Sequence, residues 1–493
     1  MTLVVTTRAD LTLDALRRVA WQGEDLALAP ETSASMEAGH GALSAYVEAR
    51  LAEDPAALLY GLTTGPGDAG GIPLSDLARS TRPAGLWTAS SFGEPLPERV
   101  TRGIVLARLA NLVAGTAGVR PLVAEAVAGL LGGAAGPLPA VPARGNGGSG
   151  EILALGHLLG PMAEGLGLEP RERMALLNGS PCAAALVADA ALIGRGRLQL
   201  AERTLALSVE AIRAPLEAYA PELAALWGDE HEGAALRSLG ALLAGGAPER
   251  LDHQAPVSHR VLPRVLGRLR EAQAHAERTA TTSLAAVTDN PVFLLPSETR
   301  PLGELVSNGG FHNDRAHPAL DGLAHAWADV AQLAQRHVDK LFQHPASAPH
   351  LADEWLTKTL HMVATAWAED ARTLAQTTVL GLGGFGQNDL PAPAFAAWVK
   401  ADAVGTCLER GLAVLAAIAS QVLHVAGQAP PPALSGFLDE IRAAFAPVAT
   451  ARALGVDAER LAERFAAGVL ACAGAPAAEG NRGPATHVAS STM

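Results

Sequence analysis

The residues Leu320, Leu323, Trp327, Val330, Ala334 and Leu341 constrain this chain most. They return at steps of three and four, with one double step before Leu341. That spacing puts them on one face of an α-helix and scatters them over both faces of a strand. A helix with such a row must bury it against other helices. The rest of the chain agrees: period-2 stretches are scarce, and Ala and Leu, the strongest helix formers, dominate. The chain is 49% hydrophobic but only 4% aromatic, a composition suited to closely packed helices. Helical patterns are expected over about 31–52, twice within 97–133 with a break near Gly118-Val119-Arg120-Pro121, over 152–166, and from Asn178-Gly179-Ser180-Pro181 through Leu192. Thr12 is a candidate N-cap for a short helix near the start. Met362, Thr365, Glu369, Arg372 and Gln376 form a second row at helical spacing.

The expected fold is all-α, with a central bundle of long antiparallel helices. Residues 1–200 are expected to form an N-terminal helical domain, and 201–472 the long-helix bundle with the C-terminal helices. Residues 473–493, rich in Gly, Ala, Ser and Pro, read as a disordered tail.

Several function classes fall away. The net charge is −13 and evenly spread, so no basic face exists for nucleic acid. Cys182, Cys407 and Cys472 are far apart and odd in number, which fits a reducing cytoplasm and no disulfide framework. The first residues lack the basic-then-apolar pattern of a signal peptide. Apolar runs such as 104–131 carry Arg108, Arg120 and Glu125, so no membrane span is expected. There is no HExxH, and His253, His259, His312 and His317 do not have helical ligand spacing, so no metal is expected. Nucleotide signatures are absent too: there is no P-loop, and no GxGxxG follows a strand.

Polar loops gather at 60–95, 142–151, 252–260, 289–318 and 381–393, and loops on a rigid scaffold tend to carry sites. One of them, Arg144-Gly145-Asn146-Gly147-Gly148-Ser149-Gly150-Glu151, is half glycine. Its plain reading is a flexible loop. Its chemical reading is a backbone that reacts with itself. The amide nitrogen of Gly150 would attack the carbonyl carbon of Gly148, whose oxygen leaves as water, and Ser149 would lose a second water to leave an exocyclic methylene. Such a ring is an electrophile made from protein alone. Ser149 lacks the GxSxG elbow of a nucleophilic serine.

In register along the chain, Tyr60-Gly61-Leu62-Thr63-Thr64-Gly65, Gly93-Glu94-Pro95-Leu96, Leu176-Leu177-Asn178-Gly179, Gln254-Ala255-Pro256-Val257-Ser258-His259-Arg260, Gly309-Gly310-Phe311-His312 and Gln387-Asn388-Asp389 resemble landmarks of the histidine and aromatic amino acid ammonia-lyases. The resemblance implies the fold of that family, a homotetramer with sites shared between subunits, and elimination or 2,3-migration of the amino group of an α-amino acid. It implies a methylidene-imidazolone (MIO) built from Gly148, Ser149 and Gly150, where the family has Ala-Ser-Gly. It further implies Tyr60 as the base that removes a β-proton. A free phenol titrates near pH 10, so that role requires a site that favours the phenolate. Arg260 would clamp the substrate carboxylate through paired hydrogen bonds. Asn178, Phe311 and Gln387 would line the cofactor or substrate. Each has a plain structural reading as well: a packed tyrosine, a surface ion pair, satisfied amides, a core aromatic.

The departures point elsewhere in part. Val257 stands where the family has a second tyrosine, Glu151 replaces the usual Asp, and the lead-in to the triad is one residue short. Trp87-Thr88 and Asn388 replace groups that histidine lyases carry, which weakens histidine as the substrate. Two further readings therefore stay open: an MIO-less homologue doing another elimination, cyclisation or condensation, and a non-catalytic amino-acid-binding protein.

Overall fold

The structure is a computed structural model that describes residues 2–476, apart from 66, 78–87, 134–135, 251–252, 352–354, 382 and 385. Trp87 and most of the expected tail, 477–493, lie outside the described residues. The helices that build the scaffold are α1 (Glu98–Val113), α2 (Ile152–Ala163), α3 (Pro170–Leu177), α4 (Pro181–Ala211), α5 (Leu262–Leu284), α6 (Ala316–Gln343), α7 (Trp355–Leu374), α8 (Ala394–Val425) and α9 (Leu454–Gly474). Among the described residues, strands are confined to a parallel pair, β1 (Thr2–Val5) with β2 (Asp25–Leu28), and an antiparallel pair, β3 (Val292–Leu294) with β4 (Glu304–Val306). The fold is all-α in class, as the spacing of the apolar rows implies.

The bundle is α4, α5, α6, α7 and α8, with α6 packed most extensively on α8 and α5 on α4. The apolar row of α6 is fully inside: Leu320, Leu323, Trp327, Val330, Ala334 and Leu341 are all 0% exposed. Burying one such leucine side chain contributes about 1.5–3 kcal/mol. One buried polar unit crosses this core. Arg197 on α4 pairs with Glu409 on α8 at 2.7 Å and lies over the Trp327 ring at 4.5 Å. Gly405 makes the space for it, since a Cβ there would stand 1.9 Å from the Arg197 guanidinium carbon.

The helix over 31–52 appears as Pro30–Glu53, and the break within 97–133 falls between α1 and Pro121–Gly129. Thr12 caps its helix by accepting the Ala15 amide at 3.1 Å. Two expectations change. First, α4 does not end at Leu192 but continues to Ala211. The charged residues of its second half are paired across helices, Arg197 with Glu409 and Glu202 with Arg270. Because α4 runs through position 200, packing on α1 and on the bundle alike, one continuous core joins the two expected domains. Second, the inner face of α7 is Leu360, Ala364, Ala368 and Ala371, while Met362, Glu369 and Arg372 are exposed on this chain. Pro170–Ala211 and α8 have the length and apolarity of membrane spans, but 89% and 83% of those windows are buried inside the chain itself, as core helices are.

Candidate active site

A cavity of about 820 Å³ is lined by the loop that begins at Tyr60, the Gly148-Ser149-Gly150 loop before α2, one face of α3, Phe311 and the segment carrying Gly384 and Asn388, with Thr88 and Asn290 beside them. α3 starts at Pro170, whose fixed φ suits the first helical turn, and stops at Asn178, where the chain turns extended. Its residues Pro170, Arg173, Met174 and Leu177 recur at helical spacing and face the cavity. The Tyr60 loop rests on this face. Gly61 has φ +70°, and a Cβ there would stand 3.0 Å from the Met174 methyl.

The Gly-Ser-Gly loop is held from two sides. The Gly148 carbonyl accepts the Ala392 amide at 3.0 Å, and the Ser149 hydroxyl donates to Asn388 Oδ1 at 3.1 Å. Gly150 folds back over Gly148 so closely that a Cβ on residue 148 would lie 2.9 Å from the Gly150 oxygen. That turn suits glycine at 148 better than the methyl-bearing alanine. Glu151 then plugs the start of α4. Its carboxylate accepts the backbone amides of Cys182 at 2.5 Å and Ala183 at 2.7 Å, the first-turn donors that a helix leaves unpaired. Burial raises the Glu151 carboxyl to about 7, against the pull of those two amides and of Arg108. Arg108 is itself fully buried, and desolvation lowers its pKa. It donates from Nη1 to the Asn178 carbonyl, and its Nε and Nη2 have no hydrogen-bond partner.

A strap at 387–392 ties the site together. Gln387 donates its amide to Asp68 Oδ1 at 3.1 Å and its side-chain Nε2 to the Gly67 carbonyl. Gly67 donates in turn to the Tyr60 hydroxyl oxygen at 2.9 Å. An N–H aimed at that oxygen stabilises the negative charge a base carries before it takes a proton. Farther along, the Pro391 carbonyl lies 3.3 Å from His312 Nε2, next to Phe311. The Asn178 side chain spends its groups locally, accepting the Gly179 amide at 2.9 Å and donating to the Asn290 carbonyl.

Of the residues singled out from sequence, Tyr60, Gly148, Ser149, Gly150, Asn178 and Phe311 line one cavity. Gln387 does not line it and acts on the Tyr60 loop instead. Arg260 is exposed on the single-turn helix Val257–Arg260, outside the cavity of its own chain, and Val257 beside it is 63% exposed. Glu369 is exposed and pairs with Arg372 at 2.6 Å. Sequence reasoning missed the contact of Asn388 with Ser149, the grip of Glu151 on α4, and Arg173. Only the first two carry a signal, since each sits inside or beside a recognised motif. Among the described residues, no group of His, Cys, Asp and Glu is placed to hold a metal.

The sequence matches the aromatic amino acid lyase family over residues 11–443. This chain belongs to that family. It is accordingly a carbon–nitrogen lyase of the ammonia-lyase and aminomutase type. Among aromatic amino acid lyase relatives, a histidine ammonia-lyase of Rhodospirillum rubrum is 30% identical over 413 residues, covering 75% of this chain and 77% of its own. Among solved structures, the ergothioneine-degrading ergothionase of Treponema denticola superposes with a TM-score of 0.81 at 17% identity, over 95% of this chain and 99% of its own. A tyrosine aminomutase of Streptomyces globisporus does so at 0.77 and 22%, over 95% and 98%. Both likenesses are to the fold.

Proposed function

We propose that this protein removes or migrates the amino group of an α-amino acid, with Tyr60 as the base and the Gly148-Ser149-Gly150 loop as the source of the electrophile. The observation that carries this reading is that Tyr60 and the whole triad line one cavity on separate loops. The loop also fits ring closure. Gly150 is folded back over Gly148, and the Gly148 carbonyl that would be attacked already accepts an amide, which draws charge from its carbon. When formed, the ring would supply an electrophilic methylene for the substrate amine.

The remaining work falls to ordinary side chains. Tyr60 takes the β-proton, with the Gly67 amide stabilising its oxygen. Met174, Leu177 and Phe311 give the substrate an apolar wall. Asn388 fixes the Ser149 hydroxyl, whose departure would leave the exocyclic methylene. Arg260 binds the α-carboxylate from a neighbouring subunit, a role supported by its exposure and its distance from its own cavity. The assembly is then a homotetramer with shared sites. The three unpaired cysteines support a cytoplasmic setting.

The test is to incubate the purified protein with a panel of α-amino acids and to measure free ammonia together with α,β-unsaturated or β-amino acid. Ammonia in equal amount to unsaturated acid, or β-amino acid without ammonia, is the expected result. Neither product across aromatic, aliphatic and acidic amino acids would remove the reading.

A further inference from the structure

Among the described residues that line the cavity, Arg173 is the one cation. It is half-buried, and no hydrogen bond or ion pair engages its side chain among the described residues. A guanidinium that faces a largely apolar cavity without a partner is a binding group awaiting an anion. The carboxylate that shares the cavity, Asp68, does not neutralise it. Asp68 lies on the Tyr60 loop and accepts the Gln387 amide at 3.1 Å.

The position of Arg173 says which part of a substrate it meets. Asn178 marks the triad end of the cavity. Its carbonyl takes the Arg108 guanidinium beside Glu151, and Glu151 directly follows the triad. Arg173 lies on α3 five residues before Asn178, the residue that ends that helix, so the two backbones stand about 6–8 Å apart along its axis. Between them the wall is Met174 and Leu177, both apolar. A substrate with its amine at Ser149 therefore passes an apolar stretch before it reaches a positive charge. An α-carboxylate, held two bonds from the amine, does not span that gap.

We propose that Arg173 receives a second anionic group, so that this cavity takes an α-amino acid whose side chain ends in a carboxylate about 7 Å from the amine. This rests on the amino-acid reading above and deepens it. Arg260 keeps the α-carboxylate, and Arg173 selects the side chain.

Isothermal titration of the purified full-length protein tests the proposal with matched pairs. L-2-aminoadipate is compared with L-homoglutamine, and 4-carboxy-L-phenylalanine with 4-carbamoyl-L-phenylalanine, while ammonia release is measured in parallel. The acids are expected to bind about ten- to a hundredfold tighter than their amides. Arg173→Leu and Arg173→Gln should abolish that preference, and Arg173→Lys should keep part of it. Equal affinity of acid and amide, no binding by any of the four, or a preference that survives Arg173→Gln would each overturn the proposal. The two readings separate cleanly. Ammonia release from neutral amino acids with no charge preference leaves the lyase and removes Arg173 as a selector. A charge preference that depends on Arg173, without product from any amino acid, does the opposite.

Discussion

Glu151→Gln should flatten the pH dependence of stability between about pH 4.5 and 7. The Glu151 carboxyl is 5% exposed, and burial raises it from 4.5 to about 7. At about 1.4 kcal/mol per tenfold change, that shift corresponds to about 3 kcal/mol. The sign follows from proton binding. In this window the folded protein holds a proton at Glu151 that the unfolded chain has lost, so raising the pH favours unfolding. The contribution is complete below pH 4.5 and is lost as the pH rises through 7. Glutamine cannot ionise. It still offers one carbonyl oxygen to the Cys182 and Ala183 amides, so any packing change it causes is the same at every pH. Urea unfolding of both proteins at pH 5 and pH 8 measures the effect. The stability of wild type relative to the variant should fall by most of about 3 kcal/mol between the two pH values. Taking the difference cancels other titrating groups, including the buried His337, which burial lowers to about 4. A wild-type-to-variant difference that is equal at both pH values would refute the reasoning. It would mean that the two amides and Arg108 outweigh burial and keep Glu151 charged beside the triad.

Two further outcomes concern the chemistry. If Tyr60 is the base, Tyr60→Phe removes a group that contributes about 10²–10⁴-fold, so turnover should drop by that much. The fold should survive, because only the 2.9 Å hydrogen bond from Gly67 is lost. Full activity in that variant would take Tyr60 out of the base role. If Arg260 serves a neighbouring subunit, Tyr60→Phe and Arg260→Ala proteins, each inactive alone, should regain part of the activity when refolded together. Mixed assemblies as inactive as their parents would place both groups in one chain's site or remove Arg260 from it.

The long helices are legible because their apolar rows use large side chains at helical spacing, as at Leu320, Leu323 and Trp327. The inner face of α7 is not, because Ala364, Ala368 and Ala371 are too small to stand out beside Met362. The full length of α4 is hidden for another reason: its charged Arg197 is buried through a pair with Glu409, far along the chain, which the sequence does not bring together. Tyr60 and the triad are legible as motifs, since the chemistry proposed for them needs those residue types. Asn388, Glu151 and Arg173 act through proximity, which spacing along the chain does not reveal. Arg260 shows the converse, a motif residue whose place depends on a surface this chain does not bury.

The central claim is that Gly148, Ser149 and Gly150 close into an electrophilic ring. Intact-mass measurement of the purified protein, followed by sequencing of the peptide that carries residue 149, tests it most directly. The account predicts a mass lower than that of the encoded chain by two water molecules, with the loss confined to that peptide. An undiminished mass, with residue 149 read as ordinary serine, would contradict it.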